Sequence, residues 1–339
     1  MKSKKYKFNI VLLVIVSFVV IFFSLKDDFN GALNYFKKIN YLWILVAVLF
    51  MICNIIFQSL SQYRFLKEID PNYKYTSCFR LMCMAMFFNA ITPFSSGGQP
   101  FELYILRKEG IKVSDSLNAL IQHFITYQFG LIFSSTIAII LNRVYGILPD
   151  SLLLKKIVLI GYFINIIVMG IIIFISRAKK LNTKLFSKIF KFIFHFKFIK
   201  NREEKEKKFL QYLDDFYNST AIMKNNKKNT ILSFIFNLIS LCFLYLIPVF
   251  VFYSFKNFNL DFLESYIASA FTFLIGSFVP IPGATGGLEY GFMDFFKVFI
   301  KSTTLLSAGM LLWRLITYYL SMFIGGLVLM TYRRKEKWE

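Results

Sequence analysis

The side chains of this sequence that could do chemistry concentrate in two short stretches that resemble each other, ITPFSSGGQPFELY at 91–104 and PIPGATGGLEYGF at 280–292. Aligning Pro93 with Pro282 also aligns Ser95-Ser96 with Ala284-Thr285 and Gly97-Gly98 with Gly286-Gly287. A glutamate follows each glycine pair, Glu102 and Glu289, and a tyrosine follows each glutamate, although the glutamate offsets differ by two positions. Proline removes a backbone donor and glycine admits tight or left-handed turns, so this backbone cannot be fully self-bonded. Amides left exposed at such turns and at the start of a following helix suit an anion, for example a phosphate headgroup. Two roles are open for the glutamates: accepting backbone amides to hold the turn, or gating a proton or a cationic headgroup.

Arg314 is the strongest single candidate outside the two stretches, because it falls near the middle of a long apolar run. An ionisable residue at that depth is costly and faces a partner or a cavity. Glu289 and Asp294 are the partners within sequence reach, and the pair would be either structural or part of a site. Gln99, with Asn89, Gln122, His123, Tyr127 and Gln128, adds polar groups around the first stretch and the run after it. His123 reads as an interfacial histidine more readily than as a proton relay. The four cysteines, Cys53, Cys78, Cys83 and Cys242, form no C-x-x-C pair and read as packing residues, and two histidines are too few for a histidine-rich metal site. No metal and no cofactor is expected.

The elements that must position these residues are membrane elements. With 57% hydrophobic residues and a mean hydropathy of +0.57, lipid is the expected solvent for the chain. Runs at about 8–25, 41–60, 117–141, 157–176, 231–254 and 305–331 match the roughly 20 apolar residues that cross a hydrocarbon core of about 30 Å. The first has lysines before it but no small-residue cleavage site after it, and reads as an uncleaved anchor. Each paired stretch lies between an apolar arm (about 78–91 and 266–279) and a second short arm (about 99–108 and 288–300). An arm of about 14 residues reaches only about 21 Å at 1.5 Å per residue, so both read as re-entrant hairpins. Broken backbone at membrane depth is tolerated only inside protein or around a water-filled cavity. The competing reading is a pair of tight helix corners packed by small residues.

The expected architecture is therefore an all-α integral membrane protein, about six transmembrane helices plus two inverted re-entrant hairpins in one domain over 1–339. Half one spans about 41–141 with hairpin 78–108, and half two spans about 231–331 with hairpin 266–300. The net charge of +21 is placed unevenly: the N-terminal tail, the 61–80 loop, the 177–230 segment and Arg333-Arg334-Lys335 are basic, while the 26–40 and 255–265 connections are not. The positive-inside rule then puts both termini in the cytoplasm of a bacterial plasma membrane. The two hairpins enter from opposite sides, the arrangement that marks a transporter site near the midplane. Segment 177–230 carries 15 Lys or Arg against 5 Asp or Glu, and Leu181, Leu185, Ile189 and Ile193 recur every fourth residue. It is either an amphipathic helix on the anionic cytoplasmic leaflet or an ordinary positive-inside loop. Nucleic acid is not the expected partner.

The segments TPFSSGGQPFE and PIPGATGGLE, in an otherwise hydrophobic chain, resemble the lysylphosphatidylglycerol synthase transmembrane, or flippase-region, family from about residue 10 to 332. The resemblance implies lipid translocation, with Pro93, Gly97, Gly98, Gln99, Glu102, Pro282, Gly286, Gly287 and Glu289 at the family's motif positions. Bifunctional members carry a soluble aminoacyl-transfer domain after the membrane region. The sequence stops at Glu339, so a stand-alone member without the synthase half is expected. The leading expectation is a flippase for an anionic or lysyl-modified phospholipid whose partners are membrane headgroups. The rivals are a phosphatidylglycerol lysyltransferase, for which no catalytic constellation is present, and a membrane scaffold that docks a separately encoded lipid-modifying enzyme.

Overall fold

The computed structural model describes residues 34–148, 152–177, 211, 214–215, 217, 226–277 and 279–335. Among these there is no strand, and the protein is an all-α, multi-pass membrane protein. In chain order the helices are α1 (Tyr41–Ile69), α2 (Tyr75–Ala90), α3 (Gly98–Lys108), α4 (Val113–Tyr145), α5 (Leu152–Arg177), α6 (Lys227–Ser254), α7 (Phe262–Gly276), α8 (Gly287–Phe296), α9 (Thr303–Arg314) and α10 (Leu320–Lys335). A π turn, Leu315–Tyr319, joins α9 and α10 into one rod. Five helices are long and apolar enough to cross a membrane: α1, α4, most of α5, α6 and the α9–α10 rod. They coincide with five of the six expected spans. The expected first span at 8–25, and nearly all of the basic 177–230 segment, lie outside the described residues.

The helices outrun the apolar runs that announce them. The run at 41–60 becomes a helix to Ile69, and beyond the run the Arg64 guanidinium lies 5.4 Å from the centre of the Phe236 ring and the Lys67 ammonium 5.6 Å from that of Tyr63. Tyr73, in the connection that follows, donates to Glu109 Oε2 at 3.0 Å and ties the base of the first hairpin together. Burial, and then the Glu109 carboxylate, push the Tyr73 phenol above its usual range, so it keeps its proton and remains a donor.

α1 and α6 form the spine, and they run in opposite directions. Their contacts advance along one helix as they retreat along the other: Asn40 N–H donates to the Ser254 carbonyl at 2.8 Å, Phe50 meets Phe243, Asn54 bonds Ser240 and Ser61 bonds Ser233, and Asn229 donates to Glu68 Oε1 at 2.6 Å. Lipid gives two helices no hydrophobic reason to associate, so small residues and interhelical hydrogen bonds must hold them. Asn54 Nδ2 spans 2.7 Å to Ser240 Oγ, which returns a bond of 3.1 Å to the Asn54 carbonyl. The network continues into α4 through Thr126, 2.8 Å from Ser233 Oγ.

Pro248 lies inside α6, where its ring crowds the carbonyls one turn earlier. The hydroxyls of Ser265 and Ser269 on α7 both donate to the Tyr245 carbonyl, at 2.8 and 3.0 Å. The neighbouring helix thus supplies donors in the turn that the proline disturbs, although the Leu244 carbonyl is the one that loses its amide partner.

Each long helix of the spine is followed by a helical hairpin, α2–α3 after α1 and α7–α8 after α6, and the hairpins are packed crosswise. α2 lies against α10, where Gly325 brings the two backbones together at Cys83 and Phe87. α7 lies against α4, where the Tyr266 and Ser134 hydroxyls meet at 2.6 Å. Because α1 and α6 are antiparallel, the hairpins open toward opposite ends, and their tips touch each other in the middle. α5 packs at the edge and turns Leu159, Ile160, Phe163, Ile167, Ile171 and Phe174 outward, as a lipid-facing helix does.

Candidate functional site

The two tips share their backbone just after the proline and part at the first glycine, where φ is −78° at Gly97 and 91° at Gly286. In the first, Phe94 and Ser95 take left-handed φ of 55° and 51°; in the second, Gly283 and Ala284 take 63° and 52°. Each follows its proline in a short 3-10 turn, Pro93–Ser95 and Pro282–Ala284. The left-handed region is expensive for any side chain. At position 283 glycine is also sterically required, since a Cβ there would run into the Tyr318 ring. At Phe94 the ring escapes by projecting outward, 62% exposed.

What closes each tip differs. In the first hairpin, the Gly97 N–H donates to Thr92 Oγ1 and the Gly98 N–H to Asn89 Oδ1, both at 2.8 Å. In the second, the Gly286 N–H donates to Glu289 Oε2 at 2.6 Å. This explains the two-residue offset between the glutamates. Glu289 is the third residue of α8, within reach of the helix start, whereas Glu102 is the fifth residue of α3 and is not. The expectation that these amides stand free for an anion is therefore corrected for Gly97, Gly98 and Gly286. The Gly97, Gly98 and Gly286 donors are each already spent on a side chain of the same hairpin.

Glu289 does a second thing. Its Oε1 lies 2.7 Å from Arg314 Nε, and both side chains are buried. Arg314 Nη2 also donates to the Gly283 carbonyl at 3.0 Å and lies 3.4 Å from Thr285 Oγ1, so one guanidinium binds the turn and the helix start of the second tip together. Its charge sits 4.7 Å from the centre of the Tyr318 ring. The Tyr318 hydroxyl donates to the Ala90 carbonyl at 2.9 Å, at the end of α2. One face of the last rod thus grips both tips, and the π turn begins directly after Arg314. Such turns are found mostly at functional sites. Of the two expected partners, Glu289 is the one realised; Asp294 pairs with Lys297 instead.

A cavity of about 220 Å³ opens where the tips meet the spine and the last rod. Asn54 and Gln58 reach it from α1, Asn89 and Ser95 from the first hairpin, Gly283 from the second, and Arg314, Thr317, Tyr318 and Ser321 from the rod. Among the expected residues Arg314 and Asn89 line it directly. Glu289 stands behind Arg314, while Gly97, Gly98, Pro93, Pro282, Gly286 and Gly287 shape the tips. Gln99 is exposed. Glu102 is buried elsewhere, against α1, where it accepts from Gln62 Nε2 at 2.9 Å. His123 and Tyr127 do not line the cavity. The residues missed were Asn54, Gln58, Thr317, Tyr318 and Ser321. A signal for them existed: Asn54 and Gln58 are four apart in an apolar run, and 314, 317, 318 and 321 fall on one helical face.

Among the described residues no cluster of three or more His, Cys, Asp or Glu could hold a metal ion. The chain is similar to an uncharacterized protein of Mycoplasma pneumoniae, an MG306 homolog, with 22% identity over 349 residues covering 95% of this chain and 86% of the relative. It is likewise 21% identical over 362 residues to the uncharacterized protein MG306 of Mycoplasma genitalium, covering 98% of this chain and 90% of the relative. The family described as lysylphosphatidylglycerol synthase TM region matches residues 9–325, which include both hairpin tips, the spine and the arginine between them. With that match spanning nearly its whole length, the chain belongs to the lysylphosphatidylglycerol synthase transmembrane-region family.

Proposed function

We propose that the protein moves a membrane lipid between the leaflets of the bacterial plasma membrane, with both termini cytoplasmic, by passing the headgroup through the cavity where the two hairpin tips meet. The observation that carries this reading is the buried Arg314–Glu289 pair, which ties the second tip to the last rod beside that cavity. A membrane protein built only for packing has little reason to hold an ion pair and two broken turns at one level, because each costs several kcal/mol to bury. In this reading the hairpins are re-entrant, and opposed rocking of the two halves about the α1–α6 spine exposes the cavity to each side in turn. Membership of the family supports a lipid as the cargo. The lysyl-modified headgroup is what the family's description offers, whereas the anionic headgroup has lost three of the turn amides on which it rested.

The test is a leaflet-accessibility assay in proteoliposomes with fluorescent lipids. Intact protein should speed equilibration between leaflets, and Glu289→Ala with Arg314→Ala should abolish the gain. Unchanged lipid distribution with the intact protein, or full activity in the double variant, overturns the reading.

A further inference from the structure

We infer that the cavity selects an uncharged, hydroxyl-rich headgroup, such as the sugar of a glycosyl diacylglycerol, over an anionic or a cationic phospholipid. The inference rests on the transport reading only for what the headgroup does there; the selection itself follows from the lining. Among the described residues Arg314 is the one charged residue that lines the cavity, and its charge is opposed by Glu289 at 2.7 Å and engaged by the Gly283 carbonyl. The Gly97, Gly98 and Gly286 amides are engaged by Thr92, Asn89 and Glu289, and none of these glycines lines the cavity. A phosphate or a lysyl ammonium entering the cavity would lose its hydration and find no unopposed counter-charge, a cost that a neutral headgroup avoids.

What remains unspent is neutral and of the kind that meets hydroxyls. Gln58 makes no side-chain hydrogen bond among the described residues, so its carbonyl and both N–H donors are available. Asn89 uses only its oxygen, on Gly98, which leaves its amide nitrogen. Asn54 uses only its nitrogen, on Ser240, which leaves its oxygen. The Thr317 and Ser321 hydroxyls donate to backbone carbonyls and keep lone pairs for accepting. Free donors and free acceptors are therefore both present among the apolar side chains of the cavity, as a polyol requires, since each hydroxyl both gives and takes a hydrogen bond. The volume of about 220 Å³ lies below the roughly 300–1,000 Å³ of pockets that engulf whole drug-sized ligands, so it suits a headgroup with its acyl chains outside.

The experiment offers the intact protein equal amounts of monoglucosyl diacylglycerol, phosphatidylglycerol and lysylphosphatidylglycerol with matched chains. Native mass spectrometry in detergent reads binding, and the proteoliposome assay reads transport. The glycolipid should be retained about tenfold over either charged lipid, because a charged headgroup must shed its hydration there without an unopposed counter-charge. Gln58→Leu should remove that preference, and Gln58→Glu, which adds an unopposed negative charge, should turn it toward the lysyl lipid. Equal or greater retention of phosphatidylglycerol or the lysyl lipid by the intact protein overturns the inference, as does an unaltered preference in both variants. Glycolipid retained with no lipid transported upholds the selection and overturns the transport reading. Phosphatidylglycerol retained and transported does the opposite.

Discussion

The two hairpins are built on one turn and hold their glutamates in opposite ways. In the second, Glu289 is fixed from both oxygens, by the Gly286 amide and by Arg314, and so carries a compensated charge that joins two elements. In the first, Glu102 has the same sequence setting but accepts from the neutral Gln62 amide, and the turn is closed by Thr92 and Asn89 without it. Two residues of register produce the difference. A carboxylate three residues into a helix can reach back to the start, and one two residues further along points away to whatever the neighbouring helix offers. The same motif therefore yields a pinned tip on one side and an independently capped tip on the other.

If that contrast is right, the largest effect belongs to the pinned side. Glu289→Ala or Arg314→Ala alone should destabilise the protein by about 3–5 kcal/mol, because each leaves a buried charge without its partner. The double variant should lose less than the two losses added together, and thermal unfolding in detergent would check both. An additive double variant would show that the pair is not coupled. Next is Thr92→Val, which keeps the shape and removes the acceptor for the Gly97 amide. It should cost about 1 kcal/mol, the usual worth of a helix cap, in the same assay. A loss as large as that of Glu289→Ala would mean that the first tip is pinned as tightly as the second. The smallest effect is expected of Glu102→Gln, which has nearly the same shape and keeps an acceptor for the Gln62 amide. Stability should change by no more than about 1 kcal/mol in either direction. A loss of several kcal/mol would reveal a cation on Glu102 and collapse the comparison.

Much of this was legible along the chain. The five described spans announce themselves by apolar length, and the paired Pro-x-x-x-Gly-Gly tips by direct repetition, which the matching φ values at 94–95 and 283–284 bear out. Arg314 was legible because a charge in an apolar run needs an explanation. Its choice of Glu289 over Asp294 was not, since both lie on α8 and only the rotation of that helix against the last rod separates them. The cavity residues Gln58 and Thr317 were equally hidden. A polar residue in a span is an ambiguous sign until packing shows whether it faces a neighbour or a space.

The sequence by itself determined that the chain is helical and membrane-embedded, that it contains two related breaks, and that one arginine lies at depth. These are local properties, set by apolar run length, by proline and glycine backbone limits and by the cost of a charge in lipid. Only the tertiary structure decided that the turn amides are closed by Thr92, Asn89 and Glu289, that Arg314 is neutralised, and that the space between the tips is lined by free amides and hydroxyls. Those outcomes depend on which groups lie within about 3 Å of each other once the turns are formed and the helices packed, and a hydrogen bond has no meaning at longer range.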